Sequence, residues 1–98
     1  MATFISLINW TDQGVKTYKD TMKRADAGRE LAQKLGGRIK DLYWTLGSCD
    51  LVAISEFPDA ESYTAFALGL GSQGNIRTST LRGYNDDEIR RIIAKAQG

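Results

Sequence analysis

Histidine is absent from the chain, and cysteine and proline each occur once, as Cys49 and Pro58. Each shortage removes a class of chemistry. Without imidazole, neither a Ser-His-Asp nor a Cys-His nucleophilic arrangement is available within one chain. A histidine-ligated haem is excluded on the same ground. One thiol and no imidazole also make a poor donor set for structural zinc, which takes thiolate and imidazole ligands. No metal and no cofactor is therefore expected, and any acid–base work falls to Asp, Glu, Lys, Tyr or bound water. A lone cysteine forms no intramolecular disulfide, which points to a reducing compartment.

The chain also lacks a dominant charge. Its 13 basic and 12 acidic residues leave a net charge of +1, interspersed without a long block of one sign. A dedicated nucleic-acid or membrane-surface binder normally carries a one-sided patch, so neither nucleic acid nor membrane is expected as a partner. Met1 to Trp10 has no basic n-region and no apolar run of signal-peptide length. Nor does any stretch have the apolar length of a membrane span. The expected location is the cytoplasm. A chain of 98 residues makes one domain, residues 1–98. At that size roughly 65% of the unfolded surface is buried on folding, so the core is thin and a second copy is a natural supplement.

What is present is an alternation of β-rich runs and helical stretches. Thr3 to Trp10 predicts a first strand, and Thr11 to Lys19 a polar connection. A helix is predicted from about Thr21 to Leu35, capped by Asp20 or Thr21 and stopped by Gly36-Gly37. Its inward stripe is Met22, Ala25, Gly28, Ala32 and Leu35, spaced three and four apart. Arg38 to Leu46 and Leu51 to Phe57 read as strands joined by the tight Gly47-Ser48-Cys49-Asp50 connection. A second helix is predicted over about Ala60 to Leu70, closed by Gly69, Gly71 and Gly74 rather than opened by them as a phosphate loop requires. A fourth strand, Asn75 to Gly83, and a terminal helix to about Ala96 complete the chain. The acids at the start of that helix and Arg90, Arg91 and Lys95 after them suit its dipole.

The order βαββαβ predicts an α+β, ferredoxin-like fold. Right-handed crossovers place both helices on one face of a four-stranded antiparallel sheet in order 4-1-3-2, with an extra C-terminal helix. An RNA-recognition module shares this order, but its Lys/Arg-Gly-aromatic signature is missing. On the first strand Phe4, Ser6, Ile8 and Trp10 alternate with Thr3, Ile5, Leu7 and Asn9. On the third, Leu51, Ala53, Ser55 and Phe57 alternate with Val52, Ile54 and Glu56. Both faces are largely apolar, as in sheets covered on both sides. The economical cover is the same sheet from a second copy, so a homodimer or higher homo-oligomer is expected.

Four segments carry a resemblance: Ile8-Asn9-Trp10-Thr11-Asp12-Gln13-Gly14, Lys19-Asp20-Thr21, Thr45-Leu46-Gly47-Ser48-Cys49-Asp50 and Gly74-Asn75-Ile76-Arg77-Thr78. In this order, spread over nearly the whole chain, they resemble the GYD family of small bacterial and archaeal proteins. The resemblance implies a dimeric α/β-barrel protein. Gly47 and Asp50 match the naming motif, whereas Cys49 stands where that motif has tyrosine, so chemistry carried by that phenol is missing here. Members of the wider superfamily include cofactor-independent oxygenases, haem-degrading enzymes, small isomerases and decarboxylases, and effector-binding modules. The resemblance thus leaves the activity open.

Placed on the expected topology, the residues of these segments converge at one end of the sheet. Asn9 and Trp10 end the first strand there, and Tyr43 and Trp44 lie near the end of the second. Asp50 opens the third, Asn75 and Arg77 open the fourth, and Arg24 sits on the first turn of the first helix. One reading is a pocket. Trp10, Trp44 and Tyr43 form apolar walls, Arg24 or Arg77 holds an anionic oxygen, Asn9 and Asn75 orient it, and Asp50 is the candidate catalytic base. The other reading is structural: Asp50 pairs with Arg24 or Arg77, the asparagines satisfy loop backbone, and the tryptophans anchor core or interface. The expected function is a homo-oligomeric module binding a small-molecule ligand at that edge. The alternatives are a cofactor-independent oxygenase or isomerase and a purely structural assembly unit.

Overall fold

The computed structural model describes residues 1–98. In chain order the elements are β1 (Ala2–Trp10), α1 (Asp12–Lys16), a 3-10 turn (Tyr18–Asp20), α2 (Thr21–Lys34), β2 (Arg38–Trp44), β3 (Leu51–Phe57), α3 (Ala60–Gly71), β4 (Ile76–Gly83) and α4 (Asp86–Ala96). The strands form one antiparallel sheet in the order β2-β3-β1-β4. This is the 4-1-3-2 arrangement read from the opposite edge, and the fold is α+β and ferredoxin-like.

Alternation along β1 and β3 decides which face the helices cover. Phe4, Ser6 and Ile8 are buried, as are Leu51, Ala53, Ser55 and Phe57, whereas Ile5, Leu7, Val52 and Ile54 are only half-buried. The core under the helices is aromatic. Tyr63 of α3 stacks on Phe4 with ring centroids 4.3 Å apart, and Phe57 meets the Tyr63 ring edge-on at 5.6 Å. Phe66 closes the cluster 5.1 Å from Phe57, and Ala32 of α2 is fully buried against it. A second, smaller cluster, Ile8, Leu51 and Ala53, lies toward the other end of the sheet.

Several local expectations are corrected. The polar Thr11–Lys19 connection holds helical structure that the sequence expectation did not include: Thr11 accepts from Gly14 N–H and caps α1, and the 3-10 turn follows. Asp20 occupies the N-cap of α2 without a side-chain cap bond, because the preceding turn already takes that position. Met22 is 56% exposed, so the inward stripe of α2 begins at Ala25. β2 ends at Trp44, and Leu46 stands wholly in solvent on the turn. An irregularity between Ile39 and Asp41 shifts the register of β2, which lets Ile39 and Leu42 both face the helices.

Two features stop α2 and launch α4. Gly36 adopts a positive φ of 81°, and the N–H groups of Gly36 and Gly37 return to the carbonyls of Gln33 and Ala32. At the far end of β4, Asn85 and Glu88 form a reciprocal capping box. Arg82 pairs with Glu88 at 3.1 Å and lies over the Tyr84 ring at 4.5 Å. The molecule measures 52 × 30 × 18 Å, and the α4 side chains Ile89, Ile92 and Ile93 remain 43%, 39% and 50% exposed.

Candidate functional site

The loops at the β1 C-terminal end are knitted by backbone and side-chain hydrogen bonds rather than ion pairs. Thr11 N–H donates to the Asn75 carbonyl at 3.0 Å, and the Thr11 hydroxyl to the Gly74 carbonyl at 2.6 Å. Gln13 Nε2 donates to Asn75 Oδ1 and to the Gln73 carbonyl. Asp50 Oδ2 accepts from Trp10 N–H at 2.9 Å while Asp50 N–H donates to the Ile8 carbonyl, so the β2–β3 turn is tied to the end of β1. Trp44 Nε1 donates to Thr21 Oγ1, fastening the end of β2 to the start of α2. Together these bonds make a rim.

Beneath the rim, between the covered face of the sheet and helices α2 and α3, lies a cavity of about 80 Å³. It forms because two of the α2 residues that line it, Ala25 and Gly28, are small and leave space between helix and sheet. Its apolar wall includes Ile8, Leu42 and Ala53 from the sheet and Phe66 and Leu70 from α3. Ser6 and Tyr63, whose hydroxyls meet each other, are among the lining residues, and Arg24, Gln73, Asn75 and Thr78 add to the polar lining. Such a space, mostly apolar with a few polar groups, has the composition of a small-molecule site.

The residues singled out from the sequence divide into three sets. Trp10, Arg24 and Asn75 line the cavity. Asp50 and Trp44 belong to the rim through the bonds just described. Asn9 and Arg77 are register partners on the outer face, because period-two alternation turns them away from Trp10 and Ile76. Tyr43 lies on that outer face too, 62% exposed. Arg24, Arg77 and Asp50 are not paired with one another. Arg24 instead donates to the carbonyls of Gly14 and Thr17, both at 3.1 Å, and to Thr17 Oγ1. Its guanidinium staples the α1 segment to α2.

The hydroxyl groups inside the cavity were not among the sequence candidates. Tyr63 OH lies 2.7 Å from Ser6 Oγ and 2.6 Å from Thr80 Oγ1. A signal existed: Ser6 is the single polar residue between Phe4, Ile8 and Trp10 on the buried face of β1. On the adjacent strand and the same face, Ser55, the register partner of Phe4, is buried with no hydrogen-bond partner for Oγ.

The carboxyl groups with shifted ionisation lie at the other end of the sheet. Asp59 caps α3, and the N–H and hydroxyl of Ser62 hold its carboxyl below the ordinary aspartate range. Glu88 is likewise held low, first by Asn85 N–H and then by Arg82. Both serve helix starts rather than the cavity.

Comparison with known proteins agrees with this architecture. The sequence matches the GYD domain over residues 4–93. It is 35% identical over 82 residues to the glutamine synthetase and cystathionine beta-lyase binding protein of Thermus thermophilus, across 83% of this chain and 86% of that one. Its fold is similar to the crystal structure of TTHA0845, also from Thermus thermophilus, with a TM-score of 0.56 and 25% identity over 87% of this chain and 95% of that one. With the match running from β1 into α4, the chain belongs to the GYD domain family.

Proposed function

We propose that this protein is a homo-oligomeric small-ligand-binding module whose ligand occupies the cavity between the sheet and helices α2 and α3. The observation that carries the reading is the cavity itself, about 80 Å³, walled mostly by apolar side chains with a few polar groups, nearly all neutral. An enzyme that abstracts a proton needs a base within reach of its substrate. The cavity lining contains no carboxylate, and Arg24, its one charged residue, is spent on the α1 segment. Asp50 has an oxygen committed to Trp10 N–H. Binding is therefore favoured over a cofactor-independent oxygenase or isomerase. Thermal-shift screening against a metabolite panel tests this. A saturable rise in melting temperature with at least one small uncharged or polar compound is expected. A panel that neither raises it nor perturbs the amide resonances of Ile8 and Ala53 overturns the reading.

The homo-oligomer rests on the outer sheet face. Ile5, Leu7, Val52 and Ile54 form a continuous apolar surface there, extended by Leu81 at 52% exposure. A second copy laid on that face gives the sheet the two-sided cover its alternation implies. A second reading is favoured by the apolar stripe of α4 and by a relative whose name describes a protein that binds two enzymes. In that reading the same surface takes a different protein. Sedimentation at micromolar concentration separates the two: an assembled species supports self-association, and a monomer leaves the surface to another partner.

A further inference from the structure

We propose that the Ser6–Tyr63–Thr80 hydroxyl chain is the polar anchor of the cavity, and that it selects an uncharged ligand carrying a single hydrogen-bonding group. The proposal rests on the cavity being a ligand site and adds the chemistry that site takes.

Three hydroxyls carry three hydrogens, and the two contacts at 2.7 Å and 2.6 Å use two of them. One hydrogen is always left over. When Ser6 donates to Tyr63 and Tyr63 to Thr80, the spare hydrogen sits on Thr80, and Ser6 offers the cavity only lone pairs. When the chain runs the other way, the spare hydrogen sits on Ser6, and the cavity gains a donor. When both ends donate to Tyr63, the phenol itself holds it. Thr80 shares the helix-covered face with its register partner Ser6 but is exposed because β4 is an edge strand, so water completes its bonding in any arrangement. The outer end of the chain thus lets the inner end switch between donor and acceptor.

Two further observations fit an anchor. Ser6 is 3% exposed and its oxygen has Tyr63 as its one hydrogen-bond partner, so bonding capacity is left unused in a buried position that lines the cavity. The Tyr63 ring is fixed by stacking on Phe4 and by the edge contact with Phe57, so its hydroxyl is already positioned. Charge is disfavoured for two reasons. An ion loses hydration in an apolar space, and Arg24 spends its terminal nitrogens on the Gly14 and Thr17 carbonyls and the Thr17 hydroxyl. Size follows from volume. A cavity of about 150 Å³ takes a benzene ring, so about 80 Å³ encloses a smaller head, on the scale of a branched four-carbon group.

The test uses probes sharing an isobutyl or isopropyl skeleton: isobutanol, 3-methyl-2-butanone, isobutyrate and isobutylammonium. Each is titrated into the intact protein and followed by the resonances of Ile8, Ala53 and Ser6. The alcohol and the ketone are expected to bind with comparable affinity, and the two ions at least about tenfold more weakly. Tyr63→Phe should weaken the alcohol and the ketone about fivefold to tenfold, the worth of a neutral hydrogen bond. Ser79→Ala deletes a hydroxyl on the opposite face of β4, beside its register partner Leu7, and should keep ketone binding within about twofold. That pattern separates an anchor from a residue that merely supports the fold. If Tyr63→Phe proves unfolded, Ser6→Ala replaces it with the same expectation. Neutral probes that bind Tyr63→Phe and Ser6→Ala as tightly as the natural protein overturn the anchor while leaving the cavity as a ligand site. Ions that bind as well as the neutral probes overturn it too. If none of the four probes perturbs the cavity resonances, both the site and its anchor fall.

Discussion

Gly14 lies directly under the carbonyl of Asn75: a Cβ built on Gly14 would stand 2.0 Å from that oxygen. The contact joins α1 to the segment before β4 and completes the rim with the Thr11 bonds to Gly74 and Asn75. Since the obstacle is backbone, it has little room to yield. Gly14→Ala is expected to cost at least about 1–3 kcal/mol, the scale of overpacking a well-filled contact. Urea unfolding measures it, and an unchanged midpoint would mean that the rim is not held this way.

The start of α4 gives a pH prediction. Glu88 is held below its ordinary range in the folded protein, chiefly by Asn85 N–H. A depressed carboxyl contributes stability that is present above its unfolded value and lost as pH falls through its folded one. The amides of α4 should therefore lose protection as pH drops through and below the ordinary glutamate range. Glu88→Gln should blunt that dependence. Hydrogen exchange resolved by residue reads both, and α4 protection that is flat across acid pH would contradict the capping box.

Self-association through the outer face predicts a clean split between faces. Leu7→Lys puts a charge at the centre of the uncovered apolar surface, beside its register partner Val52. The variant should sediment as a monomer with its fold intact, since Leu7 takes no part in the core under the helices. An assembly that survives Leu7→Lys would place the contact elsewhere on the molecule.

Much of this was legible in the sequence, and the exceptions have physical causes. The strand order followed from βαββαβ and crossover handedness, and the limits of β3, Leu51 to Phe57, from its alternation and from Pro58. Convergence at one end of the sheet is a property of topology, so it was readable as well. Facing was less so. Asn9 and Trp10 share an edge, but alternation sends them to opposite sides, and Arg77 follows Asn9 through the β1–β4 register. The irregularity in β2 reverses parity between Ile39 and Leu42, and no turn residue marks it. Arg24 was expected to meet a carboxylate or an anion. It found carbonyls because the segment after Trp10 folds into α1, and the carbonyls of Gly14 in that helix and of Thr17 at its C-cap point toward it. Partners of that kind have no sequence signature.

The space beside Gly28 decides whether the cavity takes a ligand. A Cβ on Gly28 would meet Leu70 at 3.8 Å and Ile39 at 3.9 Å, ordinary contact distances. Gly28→Ala should therefore fold, and should stabilise α2 by up to about 1 kcal/mol through helix propensity. Gly28→Leu carries the larger side chain into the cavity that Gly28 lines. Isobutanol titrated into the three proteins, followed by the Ala53 amide resonance, gives the answer. Saturable shifts are expected in the natural protein and in Gly28→Ala, and none in a folded Gly28→Leu. Equal binding by all three would refute the cavity as the binding site.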